Sequence, residues 1–288
     1  MRLALYKLFK KSLIPFRFLR HFRFFLSIIS RVEARFTPRG IFLLNRQGVK
    51  MYVDSNDTAL GRRLVNSDAW EPYETELFRQ SIRPDMAIVD VGANIGYYSL
   101  VAAKILNGTG KVIAFEPVPR SYQLLVKSIQ QNQFKNIVSV QRALSDINST
   151  RELFLDARNY GICSFSEKIV PESTGPIAVE TVTLDSYLKK LGVQRVDLLK
   201  VDVEGAEALV LEGARQALQQ IRLIFMEFWP EAIRNLQRDP AMLLKELGRN
   251  FTVRRIDERE KRLIEVSDER LAELAASKFH LDIFLKAK

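Results

Sequence analysis

The stretch Ala87-Ile88-Val89-Asp90-Val91-Gly92-Ala93-Asn94-Ile95-Gly96-Tyr97-Tyr98-Ser99 decides the fold. Its first five residues are apolar except for Asp90 and read as a buried strand. A glycine-bearing turn follows, and Tyr97–Leu106 then has the apolar spacing of a helix closed by Gly108. Outward from this unit the alternation continues. Lys111–Phe115 reads as a strand, Arg120–Gln131 as a helix, Ile137–Gln141 as a strand, Val196–Val201 as a buried strand and Ala206–Leu218 as a helix. Leu223–Phe228 is another buried strand, Ala241–Leu247 a helix, and Phe251–Ile256 with Phe279–Leu285 an antiparallel pair around a Ser267–Ser277 helix. Strand and helix in this order predict an α/β, Rossmann-like fold, with a mostly parallel sheet and right-handed crossovers.

Upstream, Ile41–Leu44 and Val49–Val53 flank Asn45-Arg46-Gln47-Gly48, a hairpin signal, and two helical stretches follow, the second opening at Pro72. The chain therefore divides into a leader (1–40), a hairpin and helical cover (41–85) and the α/β domain (86–288). Of its 288 residues 47% are hydrophobic and 27% charged, a balance that excludes disorder of the whole chain. Cys163 is the only cysteine, so no intramolecular disulfide forms, and His21 and His280 offer no zinc spacing. A reducing compartment, the cytoplasm, is the expected location.

The net charge of +10 lies almost entirely in the leader, where ten Lys and Arg residues stand against Glu33 alone. The domain is near neutral, with no basic stripe, which argues against a nucleic-acid partner. The leader is also apolar: Phe18, Phe22, Phe25 and Ile29 follow helical spacing, with Arg17, Arg20 and Arg23 mostly elsewhere on the wheel. Its longest uncharged run, Phe24–Ser30, is far short of the roughly 20 residues that span a bilayer. Two readings stand: an interfacial helix on an anionic membrane surface, or a helix docked on the domain or a second subunit. An organellar targeting peptide is a third, weaker reading.

Ligands of open α/β sheets bind at the carboxyl ends of the strands, which places Gly92 to Gly96 at the site. Gly92 and Gly96 let backbone approach a ligand. Asp90 is the penultimate residue of an otherwise apolar strand, so its carboxylate needs donors from the loop or a nearby cation such as a sulfonium or ammonium. Glu116 closes the next strand, twenty residues after Gly96, where an acid accepts both hydrogen bonds of a ribose diol. The turn is GxNxG rather than GxGxxG, and Asn94 replaces the glycine that admits a pyrophosphate, which favours a phosphate-free cofactor over a dinucleotide. Ala143, in Ala143-Leu144-Ser145-Asp146, follows the third strand and is placed to wall an adenine.

Val89–Ser99, Phe115-Glu116-Pro117, Ala143–Asp146, Thr183-Leu184-Asp185 and Leu199-Lys200-Val201-Asp202-Val203-Glu204-Gly205-Ala206-Glu207 together resemble the FkbM family of methyltransferases, over roughly residues 70 to 285. The resemblance implies a seven-stranded class I methyltransferase sheet and S-adenosyl-L-methionine as methyl donor. It also implies O-methylation of a hydroxyl on a sugar, glycolipid or secondary metabolite. Pro84-Asp85 departs from the Pro-Gly expected before the first strand, and the leader is outside the family pattern.

Transfer from a sulfonium needs alignment, exclusion of water and a base for the hydroxyl proton. Along Leu198–Val203, period-two geometry puts Lys200 and Asp202 on one face, and Glu204 continues it if the chain stays extended. Asp202 is the first choice of base and Glu227, near the end of the neighbouring strand, the second. A purely structural reading has Lys200 paired with Asp202 or Glu204 to order the loop. The same acids suit Mg²⁺ or Ca²⁺, but their spacing defines no motif, and no obligatory metal is expected. Trp229, Phe228 and Tyr160 are candidate walls of an acceptor pocket, and the Tyr160–Ser166 loop a candidate cover. The alternative function is a non-catalytic, membrane-associated adaptor that binds cofactor without transfer.

Deleting residues 1–39 is expected to release the protein from anionic liposomes in a flotation assay while leaving cofactor affinity unchanged. Loss of cofactor affinity in the truncated protein would instead identify a helix docked on the domain.

Overall fold

The computed structural model describes Tyr6 and residues 38–288, so the leader's amphipathic pattern lies outside the described residues. Strands β1 (Ile41–Arg46) and β2 (Val49–Asp54) form the expected hairpin. The turn residues Gln47 and Gly48 both have positive φ, the conformation that matches the twist of two antiparallel strands. Helices Leu60–Asn66 and Pro72–Ser81 follow. In the second, Pro72 occupies the first turn, where its missing N–H costs nothing, and Glu74, Thr75 and Phe78 form the buried face.

The α/β core then unfolds in sequence: β3 (Ala87–Val91), β4 (Lys111–Phe115) and β5 (Ile137–Val140) are joined by helices Tyr97–Leu106 and Pro119–Asn132. A segment of two short and two long strands follows, β6 (Ala143–Leu144), β7 (Ser149–Asp156), β8 (Cys163–Ser164) and β9 (Ser173–Val182). After helix Leu184–Leu191 come β10 (Leu198–Val201), helix Glu207–Glu212, β11 (Leu223–Phe228), helices Pro230–Asn235 and Pro240–Asn250, β12 (Phe251–Asp257), β13 (Arg262–Glu265), helix Asp268–Ala275 and β14 (Leu281–Ala287).

The main sheet has the order β13-β12-β14-β11-β10-β3-β4-β5. From β11 to β5 all pairs are parallel, whereas β14 runs antiparallel to both β11 and β12. The chain lays β4 and β5 on one side of β3 and β10 and β11 on the other. The order reverses between β3 and β10, and the crevice opens there at the strand ends.

Three features depart from the sequence reading. The sheet has eight strands rather than seven: β13, four residues with charged ends, pairs with β12 after a turn in which Lys261 takes positive φ. The segment 143–182 contains a second sheet, β6-β9-β7-β8, built partly from two-residue strands too short to leave a period in the sequence. The helix read over Ala206–Leu218 stops at Glu212 and the chain goes on through turns to a 3-10 segment at Ala217–Gln219, while Gly213 packs so closely on the carbonyl of Ser145 that a Cβ would overlap it.

Strand alternation sends Val89, Val91, Leu199, Val201, Ile224 and Met226 into one core. It sends Ile88, Leu198 and Phe225 into another, on the opposite face. That second core also holds Met51, Val53, Leu64 and Phe78, so the cover and the sheet share one interior. The aromatic rings of Phe78 and Phe284 pack on Phe225 with centroids 5.5 and 4.9 Å away.

Phe225→Ala is expected to lower the unfolding free energy by about 3–5 kcal/mol. Phe279→Ser, at a side chain 81% exposed, should change it by less than about 0.5 kcal/mol. Denaturant melts of both variants check the contrast, and equal effects would place the core elsewhere.

Candidate active site

Asp90, Lys200 and Glu227 lie on the sheet face covered by helix Pro72–Ser81, because each shares the parity of a residue that packs into the second core. Asp90 and Lys200 are direct partners across β3 and β10, and Glu227 is opposite Asp282 across β11 and β14. This polar row ends at the sheet's carboxyl edge, where a cavity of about 530 Å³ opens. Asp90, Asn94, Glu116, Lys200, Asp202, Glu204 and Glu227 all line it.

Gly92 is the pivot of the turn after β3. It has φ 79°, and a Cβ there would overlap the carbonyl oxygen of Asp202, so only glycine lets the β3 and β10 turns touch. Asn94 also takes positive φ, which asparagine tolerates better than most residues, and its N–H donates to Glu116 Oε2 at 2.8 Å. Val118 N–H donates to Glu116 Oε1 at 2.8 Å. Each oxygen keeps a second lone pair for a ligand hydroxyl. Gly96 starts the next helix with φ 89° and packs on Leu125.

Glu116, Gly92, Cys163 and Asp202 also line a second, narrow cleft with Phe115, Pro117, Ala143, Leu144, Leu153, Phe165 and Ala206. This cleft is mainly apolar, and the small sheet supplies one wall through Leu153 and Phe165. Ala143 therefore sits where a flat apolar group would rest, and Glu116 stands where cleft and cavity meet.

Ser99 Oγ donates to Asp90 Oδ2 at 2.5 Å. Burial nevertheless pushes the Asp90 carboxyl up to about 6, against the opposing pull of Ser99 and Lys200. Burial likewise takes Glu116 to about 7, despite its two N–H donors. Lys200 is buried, 3.3 Å from Glu74 Oε1, 3.4 Å from Asp202 Oδ2 and 4.9 Å from the centre of the Tyr98 ring. Burial alone would lower its pKa, but Glu74, Asp202, Glu71 and Asp282 together hold the ammonium well above its ordinary value. Burial raises Glu74 to about 7, with Lys200 opposing.

Carboxylate oxygens of Asp202, Glu204 and Glu227 all lie within 4.8 Å of one another. Burial, followed by repulsion from neighbouring acids, pushes Glu204 and Glu227 well above the carboxylate range. The chain is not extended through Glu204, which has φ 50°; its carbonyl accepts from Ser164 Oγ at 2.9 Å, tying the turn to β8.

Tyr160 and Trp229 line the cavity, whereas Phe228 points to the opposite face and is fully buried. Residues 159–163 wall the cavity and are fastened to the cover: the Arg120 guanidinium lies 3.8 Å over the Tyr160 ring and pairs with Asp54, and Thr58 N–H donates to Arg158 O. The sequence reading missed Glu71 and Glu74, which the cover helix brings to the site. A signal for Glu74 existed: it lies one helical turn before Phe78, on the apolar stripe.

The family profile for the methyltransferase FkbM domain matches residues 90–251. This chain belongs to the FkbM methyltransferase family. The chain is 32% identical over 177 residues to the methyltransferase sdnD of Sordaria araneosa, a match covering 51% of this chain and 68% of sdnD. It is 28% identical to the 2-O-methyltransferase NoeI of Sinorhizobium fredii, over 51% of this chain and 64% of NoeI. It is 26% identical to the hexuronic acid methyltransferase AglP of Haloferax volcanii, over 52% of this chain and 59% of AglP. The crystal structure of an FkbM methyltransferase from Methylobacillus flagellatus superposes with a TM-score of 0.44 at 14% identity, over 73% of this chain and 50% of that one. Membership makes S-adenosylmethionine the cofactor of this domain.

Asp90, Glu116 and Glu74 carry raised pKa values, so folding takes up protons above the ordinary carboxylate range. Their penalty is absent at low pH and grows as pH rises from about 4 towards about 7. The ligand-free protein should therefore melt at a lower temperature at about pH 8 than at about pH 5.5, and Glu116→Gln should flatten part of that slope. A wild-type melting temperature that rises across this window would contradict the assignment.

Proposed function

We propose that this protein methylates a hydroxyl of a sugar, glycolipid or related small molecule, with S-adenosylmethionine as donor. The observation that carries the reading is the meeting of an apolar cleft and an acidic cavity at Gly92, Glu116 and Asp202. A cofactor with a flat base, a ribose and a charged tail matches that sequence of surfaces. In this reading Ala143 and Leu144 wall the adenine, Glu116 accepts from the ribose, and the Gly92 to Gly96 turn carries the amino-acid tail, with Asp90 beside it. The names of NoeI and AglP, a 2-O-methyltransferase and a hexuronic acid methyltransferase, support a carbohydrate acceptor.

The cofactor supplies a methyl group on a positively charged sulfur, a good leaving group. The chain's own task is then to hold the acceptor oxygen in line, exclude water and receive one proton. Asp202 is the preferred proton acceptor: it lines both cavities, its side chain is 35% exposed, and Lys200 orients one of its oxygens. Glu227 is the second choice. Lys200, buried between Glu74 and Asp202, acts as a positioning residue. Trp229 and Tyr160 offer the flat apolar faces that suit a sugar ring.

Calorimetric titration with S-adenosylhomocysteine tests the cofactor site. Micromolar binding is expected for the wild type, with at least tenfold loss in Glu116→Ala and Asp90→Ala; a folded wild type that does not bind would overturn the reading. Once an acceptor is found, Asp202→Asn should lower kcat by about 10²–10⁴-fold while leaving homocysteine-product affinity within a few-fold. Unchanged kcat would move the proton to Glu227.

A further inference from the structure

The cavity floor is more acidic than the proposed transfer requires. Asp202 and Glu204 come from the turn after β10, Glu227 from β11, and one oxygen from each lies within 4.8 Å of the others. Among the described residues, Lys200 is the cation paired with this side of the site, shared between Asp202 and Glu74. His280 Nδ1 is 3.8 Å from Glu227 Oε1 on an exposed ring.

Two further oxygens show that the cluster is incomplete. Glu227 Oε2 is buried and has no hydrogen-bond partner. Glu207, with no exposed surface, accepts from Gly205 N–H at 2.8 Å through Oε1, which sets its carboxylate against the turn that carries Glu204. Its Oε2 is also buried without a partner, within electrostatic reach of both Glu204 and Glu227. Buried carboxylate oxygens are ordinarily matched by donors or a cation, and these two, one on β11 and one on helix Glu207–Glu212, have no hydrogen-bond partner.

We propose that Asp202, Glu204 and Glu227 form a binding site for one divalent cation of the Mg²⁺ or Ca²⁺ type on the floor of the cavity. The donors are all carboxylate oxygens, the ligand type that hard cations take, and the cavity leaves room for water or an acceptor oxygen to complete the shell. This reverses the expectation from sequence, where the spacing of the three acids defined no motif. Only the ion's use in catalysis rests on the proposed transfer: an ion there would hold the acceptor hydroxyl beside the cofactor cleft and make it more acidic. Binding itself stands apart.

Trp229, on the same cavity wall, provides a direct probe, because it can sensitise Tb³⁺ luminescence. With the full chain purified from EDTA, Tb³⁺ should give saturable, one-site emission that Ca²⁺ displaces, and calorimetry should show Mg²⁺ or Ca²⁺ binding at one site. Glu227→Gln and Glu204→Gln, each near-isosteric, should weaken binding at least tenfold while their S-adenosylhomocysteine affinity stays within a few-fold. Absence of saturable binding by wild type, or binding undiminished in both variants, would overturn the site. Because S-adenosylhomocysteine is titrated in the same samples with and without EDTA, failure of the cation site and failure of the cofactor reading give different results.

Discussion

The ammonium of Lys200 is the pivot of this molecule. A buried lysine is tolerable only where carboxylates surround it, and Lys200 draws one from each side of the site: Glu74 from the cover and Asp202 from the strand-end turn. The two contacts join parts of the chain that are far apart in sequence and make the cover helix part of the site wall. Removing Glu74 would leave a buried charge attended mainly by Asp202, so the helix contributes through electrostatics as well as through Phe78. The family profile begins at residue 90, after this helix, which places half of the lysine's environment outside the matched segment.

The crevice owes its position to a second constraint, the reversal of strand order between β3 and β10. Two strand ends diverge there, and their turns must still touch, which the absence of a side chain at Gly92 permits. The contact fixes the β10 turn against the cofactor turn. Glu116 is held just as firmly by the N–H groups of Asn94 and Val118, so an acid with shifted protonation stands at the junction of cleft and cavity before any ligand arrives.

The strands that build this crevice were legible because each is a short apolar run ending in a charged residue or a glycine, and the helices between them keep a regular period. Asp90, Asn94 and Glu116 could be placed from sequence for the same reason: each departs from an apolar pattern at a strand end. What was not legible depends on long-range contact. The strands of the small sheet are too short or too exposed to show a period, and β13 is a four-residue addition stabilised by pairing with β12. Glu74 stands on an apolar stripe, but its partner is 126 positions away. Glu204 was expected to continue an extended face; its positive φ turns the backbone there instead, and the three acids converge through the turn rather than through strand period.

The fastening of residues 159–163 bears on the shape of the cavity. This segment walls the cavity and is held to the hairpin by the Arg120 stack on Tyr160 and by a few polar contacts at its ends. A cation–π contact of this kind contributes about 0.5–2 kcal/mol. One wall of the cavity is thus held by an arginine outside the row of acids, so the shape of the space depends on a contact made from helix Pro119–Asn132.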